Sequence, residues 1–176
     1  ARNGPKPETE RGAALIEVEG ITKRFVSKRA LLPSNREYFT AVDAAHFTIR
    51  QGEVFGLVGE SGSGKSTIAR MIAGLYAVDG GSVRYGGRDV TATARGVPDW
   101  YRREIQMIFQ DPYSSLNPRM RVDEIVAEPA RHHGLLKGQA LKDRVAELLD
   151  RVGLGAEAGL KFPHEFSGGQ RQRISI

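Results

Sequence analysis

Residues Gly59 to Thr67 read GESGSGKST, with Gly59, Gly64, Lys65 and Ser66 at the fixed places of the phosphate-binding pattern G-x-x-x-x-G-K-[ST]. The pattern works only between a strand and a helix. Here the run before it, Glu53 to Val58, is apolar and strand-like, and the run after it, Ile68 to Ala73, is helix-like. Those flanks separate it from a glycine-rich turn that matches by accident. Glycines let the backbone curl so that successive N–H groups point at phosphate oxygens. A helix N-terminus adds partial positive charge. Lys65 would supply a full charge to the β and γ phosphates, and the Ser66 hydroxyl can ligate Mg²⁺.

Three further features could extend this chemistry. Ser167-Gly168-Gly169-Gln170, inside Phe166 to Arg173, joins a capping serine and two glycines to a helix start. A plain glycine-linked helix start has the same appearance. Gln110 closes the apolar run Ile105 to Phe109, where its amide could bind Mg²⁺ or its water. Phe25 follows the first strand-like run, and its ring could stack on a base or simply fill the core.

The elements that must position these groups follow from periodicity. Ala14 to Glu19 alternates as a strand does, and Ile21 to Phe25 continues it past Gly20. Val26 to Tyr38 is an irregular insertion, and Phe39 to Ile49 is a second strand region. Val54 to Val58 is expected to be a buried strand, Lys65 to Gly74 its following helix, and Ser82 to Tyr85 a strand between glycine pairs. Trp100 to Glu104 is a short polar element and Ile105 to Phe109 a second buried strand. Val122 to His132 and Gln139 to Arg151 carry helix-spaced apolar residues, Gly153 to Phe166 is loop, and Ser167 caps a last helix.

Composition sets outer limits. The 176 residues suffice for a real core, and the net charge of +5 comes from scattered Lys and Arg with no dense basic run. No cysteine is present, which excludes disulfides and cysteine–zinc sites. No apolar run approaches the ~20 residues of a membrane span, so the expectation is a soluble chain or one held at a membrane by a partner. His132-His133 suggests a metal pair, but neighbours on a helix face different ways. Residues 1–12 (ARNGPKPETERG) read as a flexible linker, and Ser167 to Ile176 begins a helix and stops. Both ends lead us to expect a piece of a longer chain.

Taken in order, Phe25, GESGSGKST, IQMIFQDP and FSGGQRQR resemble the ATP-binding subunit of an ABC transporter, and the resemblance covers Leu15 to Ile176. Ile105 to Met120 and Phe162 to Ile174 are similar to the oligopeptide and dipeptide importers, which include nickel and glutathione importers. The insertion Val26 to Tyr38 resembles that of the second of their paired ATPase subunits. The resemblance implies a P-loop α/β fold: a RecA-like core, an antiparallel β subdomain and an α-helical subdomain near Val122 to Arg151. It divides the chain into residues 13–110, with the β subdomain and phosphate loop, and residues 111–176, with the helical subdomain and signature. It further implies that Phe25 stacks on adenine, and that Gly59, Ser61, Gly62, Gly64, Lys65, Ser66 and Thr67 hold ATP with Mg²⁺. Lys65 and Gln110 would be the catalytic-site members. Gln110 would sense the γ-phosphate, act with Ser66 toward Mg²⁺ and lead into a partner-facing loop, Asp111 to Asn117. Ser167, Gly168, Gly169 and Gln170 would close over ATP held by a second ATP-binding subunit. The region Asp111 to Arg151 would dock on membrane permease subunits at the cytoplasmic face of the inner membrane, with no nucleic acid and no membrane insertion involved.

The family's acidic strand end, its catalytic Glu and its switch His do not occur in this sequence; none of His46, His132, His133 or His164 stands where that His belongs. The expectation is therefore an ATPase in the full-length protein and no hydrolysis by these residues alone. Other classes make different demands on the sequence. A DNA-repair or chromosome ATPase head would place long coiled coils or a zinc module between the two motifs, and that interval holds neither heptads nor cysteines. A non-catalytic nucleotide-binding fragment is consistent with the missing Glu.

Overall fold

The computed structural model describes residues 12–28, 37–109 and 116–176. The chain forms two compact units, one ending at Gln106 and one beginning at Met107. The linker expected over residues 1–12 lies outside the described residues, apart from Gly12.

The first unit is built on an antiparallel sheet. Its strands are β1 (Ala14–Lys28), β2 (Glu37–Arg50), β3 (Gly80–Tyr85) and β4 (Arg88–Asp89), in the order β2-β1-β3-β4. β1 is central: Val18 pairs with Phe47 on one side and with Val83 on the other. Helix α1 (Lys65–Ile72) buries Ile68, Met71 and Ile72, the i, i+3, i+4 set that one helix face presents. They meet Val18, Ile21, Val42 and Val83 in one core. α1 ends where Gly74 turns left-handed at φ 75°, and a Cβ there would lie 2.6 Å from Val97. Helix α2 (Asp99–Glu104) sends Tyr101 into the core, fully buried. The Tyr101 hydroxyl donates to the Ile72 carbonyl at 2.8 Å, which satisfies an acceptor that the end of α1 leaves open.

The second unit is helical, as expected. It contains α3 (Val122–His132), α4 (Gly138–Arg151), two 3-10 turns (Ala156–Leu160 and Pro163–Glu165) and α5 (Gly168–Ile174). Leu141, Val145 and Leu149 recur every four residues along α4 and pack with Val122, Ala127, Phe166 and Ile174.

Two expectations need correction. Val54 to Val58 is not a buried strand: Val54 is 100 % and Val58 94 % exposed, and no strand among the described residues pairs with this run. Ile105 to Phe109 likewise has no ladder, and Ile108 and Phe109 are exposed. An apolar run becomes a strand only when a neighbour supplies hydrogen bonds and cover. Here Phe55 finds Phe47, stacked at 5.0 Å, and Ile105 packs on the first core; the other side chains of these runs gain little.

Burial, and then the neighbouring Tyr85, push the Tyr101 phenol up from its ordinary 10.0 to about 12. The folded state therefore favours the neutral phenol. That stability is complete below about pH 10 and is lost as pH rises toward 12. Tyr101→Phe should cost about 1 kcal/mol at neutral pH through the lost hydrogen bond, and should flatten the decline above pH 10. Denaturant titrations of both proteins across pH measure this.

Candidate functional site

The phosphate loop owes its shape to glycine. Gly62 and Gly64 sit at φ 86° and 87°, a region that L side chains rarely adopt. The Ser63 N–H donates to the Glu60 carbonyl at 3.2 Å and tightens the turn. Gly64 then caps α1, accepting from the Ile68 N–H at 2.9 Å. A Cβ on Gly64 would run into the Ala41 carbonyl oxygen and lie 3.1 Å from Val42 Cγ2. The loop is thus seated on β2 by backbone-to-backbone contact. β2 is bulged beside the seat, since Lys23 pairs with Val42 but Ile21 with Ala45, so two residues of β1 oppose three of β2. Ala44 takes φ 44° there, and its N–H donates to the Thr22 hydroxyl at 3.2 Å.

Lys65 opens α1 and folds back over the loop. Its ammonium donates to the carbonyls of Gly59 (2.8 Å) and Glu60 and to the Ser63 hydroxyl (3.2 Å). The first amides of α1 have no acceptor within the helix, as at every helix start. Loop, lysine and free amides concentrate positive potential in one place. They face a cleft of roughly 220 Å³ lined by Phe25, Phe39, Ala41, Gly62, Gly64, Lys65, Ser66 and Thr67.

Phe25 is half-buried and held from behind. Its ring meets Tyr76 edge-on at 5.6 Å, and the Lys23 ammonium lies 5.7 Å from its centroid. Asp79 clamps this part of β1. It accepts from Lys23 at 3.0 Å and from the Arg24 N–H at 2.7 Å, while Lys23 also donates to the Ala77 carbonyl at 2.7 Å. Burial pushes the Asp79 carboxyl up, but the Arg24 N–H and the Lys23 ammonium outweigh it and hold the carboxyl below its ordinary value of 3.8.

The structure therefore brings Phe25 to the same cleft as Gly62, Gly64, Lys65, Ser66 and Thr67. Gly59 takes part through its carbonyl, and Ser61 is exposed on the loop. Gln110 lies outside the described residues, as does most of the loop Asp111 to Asn117. Ser167, Gly168, Gly169 and Gln170 belong to the second unit. There the Ser167 hydroxyl accepts from the Gln170 N–H at 3.3 Å, and the Gln170 side chain accepts from the Ser167 N–H at 2.8 Å, a reciprocal cap. Arg173, in the last turn of this helix, anchors it by donating to the Val152 carbonyl at 3.0 Å. Gly169 is exposed, with open space where a Cβ would stand. Sequence reasoning missed Phe39 and Ala41. Their place in the cleft follows from the pairing of β2 with β1, a cross-strand register that spacing along one strand does not show.

The sequence pattern of ABC transporters matches residues 42–176, a span that contains both the phosphate loop and the SGGQ segment. The chain belongs to the ABC transporter family. A putative oligopeptide transport ATP-binding protein of Bacillus subtilis is 53 % identical over 163 residues, which are 92 % of this chain and 48 % of that protein. The glutathione import ATP-binding protein of Escherichia coli is 44 % identical over 165 residues, 94 % of this chain and 26 % of that protein. The chain thus spans from a quarter to a half of these relatives' length. Among solved structures, a dimeric ATP-binding cassette in a post-hydrolysis state, bound to ADP and Pi, superposes with a TM-score of 0.71 at 25 % identity. That match covers 92 % of this chain and 67 % of the other. ABC transporter ATPases bind ATP, and this fold is theirs.

For an ABC transporter chain, the seat of Gly64 is a direct target. Gly64→Ala should unseat the loop from β2 and weaken ATP binding at least tenfold, as read by nucleotide titration of the full-length protein. Asp79→Ala, which removes two hydrogen bonds at a partly exposed carboxylate, should cost about 1 kcal/mol of stability. Because the folded carboxyl is held low, that contribution is present above the ordinary value of 3.8 and is lost as pH falls below it, through the depressed folded value. Stability curves of the variant and the parent should converge in acid.

Proposed function

We propose that the full-length protein is the ATP-binding subunit of an importer for peptides or a related small solute such as glutathione, and that it couples ATP binding and hydrolysis to uptake. One observation carries the reading: a single cleft joins an aromatic end, at Phe25, to a glycine loop with a lysine and a helix N-terminus. That combination suits a nucleoside triphosphate, with a flat base at one end and a polyanion at the other. The names of the oligopeptide and glutathione import relatives support the cargo class.

The residues fit the substrate. Phe25 stacks on the base; Gly59, Ser61, Gly62, Gly64 and Thr67 supply backbone and hydroxyl donors; Lys65 neutralises the terminal phosphates. Ser66 offers a hydroxyl to Mg²⁺, and Gln110 a side-chain amide. When bound, that ion screens phosphate charge and polarises the terminal phosphoryl group. Lys65 already spans the loop, so its ammonium is poised where the triphosphate would enter. Ser167 to Gln170 act on ATP held by a second ATP-binding subunit. The open space at Gly169 and the exposure of Ser167 suit such an approach. The region Asp111 to Arg151 meets the permease subunits, which place the protein at the cytoplasmic face of the inner membrane. Among the described residues no helix is long and apolar enough to cross a membrane, in keeping with a peripheral subunit.

Lys65→Ala in the full-length protein should lower Mg-ATP affinity sharply and abolish transport, because it removes the full charge of the loop. Unchanged affinity in a nucleotide titration overturns the nucleotide site. Gly169→Asp should leave stability and ATP binding by the separate subunit unchanged, since the side chain enters open space, yet block dimer closure and hydrolysis by repelling the opposite triphosphate. ATP-dependent dimerisation at the wild-type level would refute the cross-subunit role.

A further inference from the structure

Phe39 lines the cleft and has no role in the reading above. It stands directly across from Phe25 in the β1–β2 ladder, so both rings project from one face of the sheet. Their circumstances differ. Phe25 is half-buried against Tyr76 and Lys23, whereas Phe39 is 57 % exposed and belongs to neither hydrophobic core. A phenylalanine left open on a strand adds little to the stability of its own chain. Two residues on, Ala41 lines the same cleft with a small side chain, and its carbonyl abuts Gly64. β2 therefore presents an aromatic ring, then a gap, then the seat of the phosphate loop. That is the order of base, sugar and phosphate in a nucleotide.

We propose that Phe39 is a second aromatic wall of the base site and works with Phe25 as a paired platform. This rests on the nucleotide reading and goes beyond it by setting what the site discriminates. Phe25, Phe39 and Ala41 carry no polar side chains, so these residues meet the base through its faces and not its edges. The site consequently accepts purine nucleoside triphosphates with little preference between adenine and guanine. Phe39 contributes to affinity for the nucleoside part and nothing to affinity for the triphosphate part.

The test uses the full-length protein and three Mg²⁺-loaded probes: ATP, GTP and inorganic tripolyphosphate, titrated calorimetrically. Phe39→Ala should weaken ATP and GTP alike by about 5- to 150-fold, the range expected for losing one stacking partner. Tripolyphosphate affinity should not change. Phe39→Leu, which keeps apolar bulk but not the flat ring, should behave like Phe39→Ala, and Phe39→Tyr should restore ATP binding to within about twofold of wild type. Melting temperatures should be level across the series, because the ring lies outside the cores. Wild-type ATP affinity in Phe39→Ala overturns the inference while leaving the nucleotide site intact. An equal loss for tripolyphosphate overturns it as well, since the substitution then acts through the loop. Wild-type protein that binds none of the probes overturns the nucleotide reading and this inference with it.

Discussion

The site depends on a contact that only a residue without a side chain can make. Gly64 lies so close to Ala41 and Val42 that a single added carbon would strike the Ala41 carbonyl. Its left-handed backbone also ends the loop and starts α1. One residue therefore fixes three things: the height of the loop on β2, the direction of α1, and the place from which Lys65 reaches back. Beside this seat β2 bulges at Ala44, whose N–H is held by the Thr22 hydroxyl. Sheet and loop are joined by backbone at the point where charge must be placed most accurately.

The far end of the cleft is held by a different device. Asp79 ties β1 to the segment after α1 through Lys23 and the Arg24 N–H, and Tyr76 on that segment supports Phe25. An ion pair so near the surface contributes little as a lone Coulomb contact. Its worth here is positional, because it fixes the strand that carries an aromatic ring. The second unit follows the same economy. Phe166 is buried, Arg173 grips the end of α4, and between them Ser167 and Gln170 cap one another, so the exposed Gly169 stands on a fixed base.

Local chemistry was legible in the sequence; distant partnership was not. GESGSGKST specified a glycine loop before a helix, and the structure has both at those residues. The α4 pattern was readable because Leu141, Val145 and Leu149 repeat with the helix turn. The Ser167 cap was readable because capping needs only residues three apart. Val54 to Val58 misled because an apolar run records a preference for burial and says nothing about whether a neighbour is present. Phe39 was overlooked for a related reason: its importance comes from standing across the sheet from Phe25, and a cross-strand register set by a bulge does not show in spacing along one strand. Gly153 to Phe166, read as loop, contains two 3-10 turns too short to leave a periodic trace.

The central claim is that one cleft, between the β1–β2 face and the phosphate loop, receives the whole nucleotide. Photolabelling the full-length protein with an ATP analogue that carries an azide on adenine, followed by peptide mapping, tests it most directly. The account predicts label on the strand peptides that contain Phe25 and Phe39, and its disappearance when excess ATP is present. ATP-protected label found only on peptides outside residues 14–28 and 37–50 would contradict it.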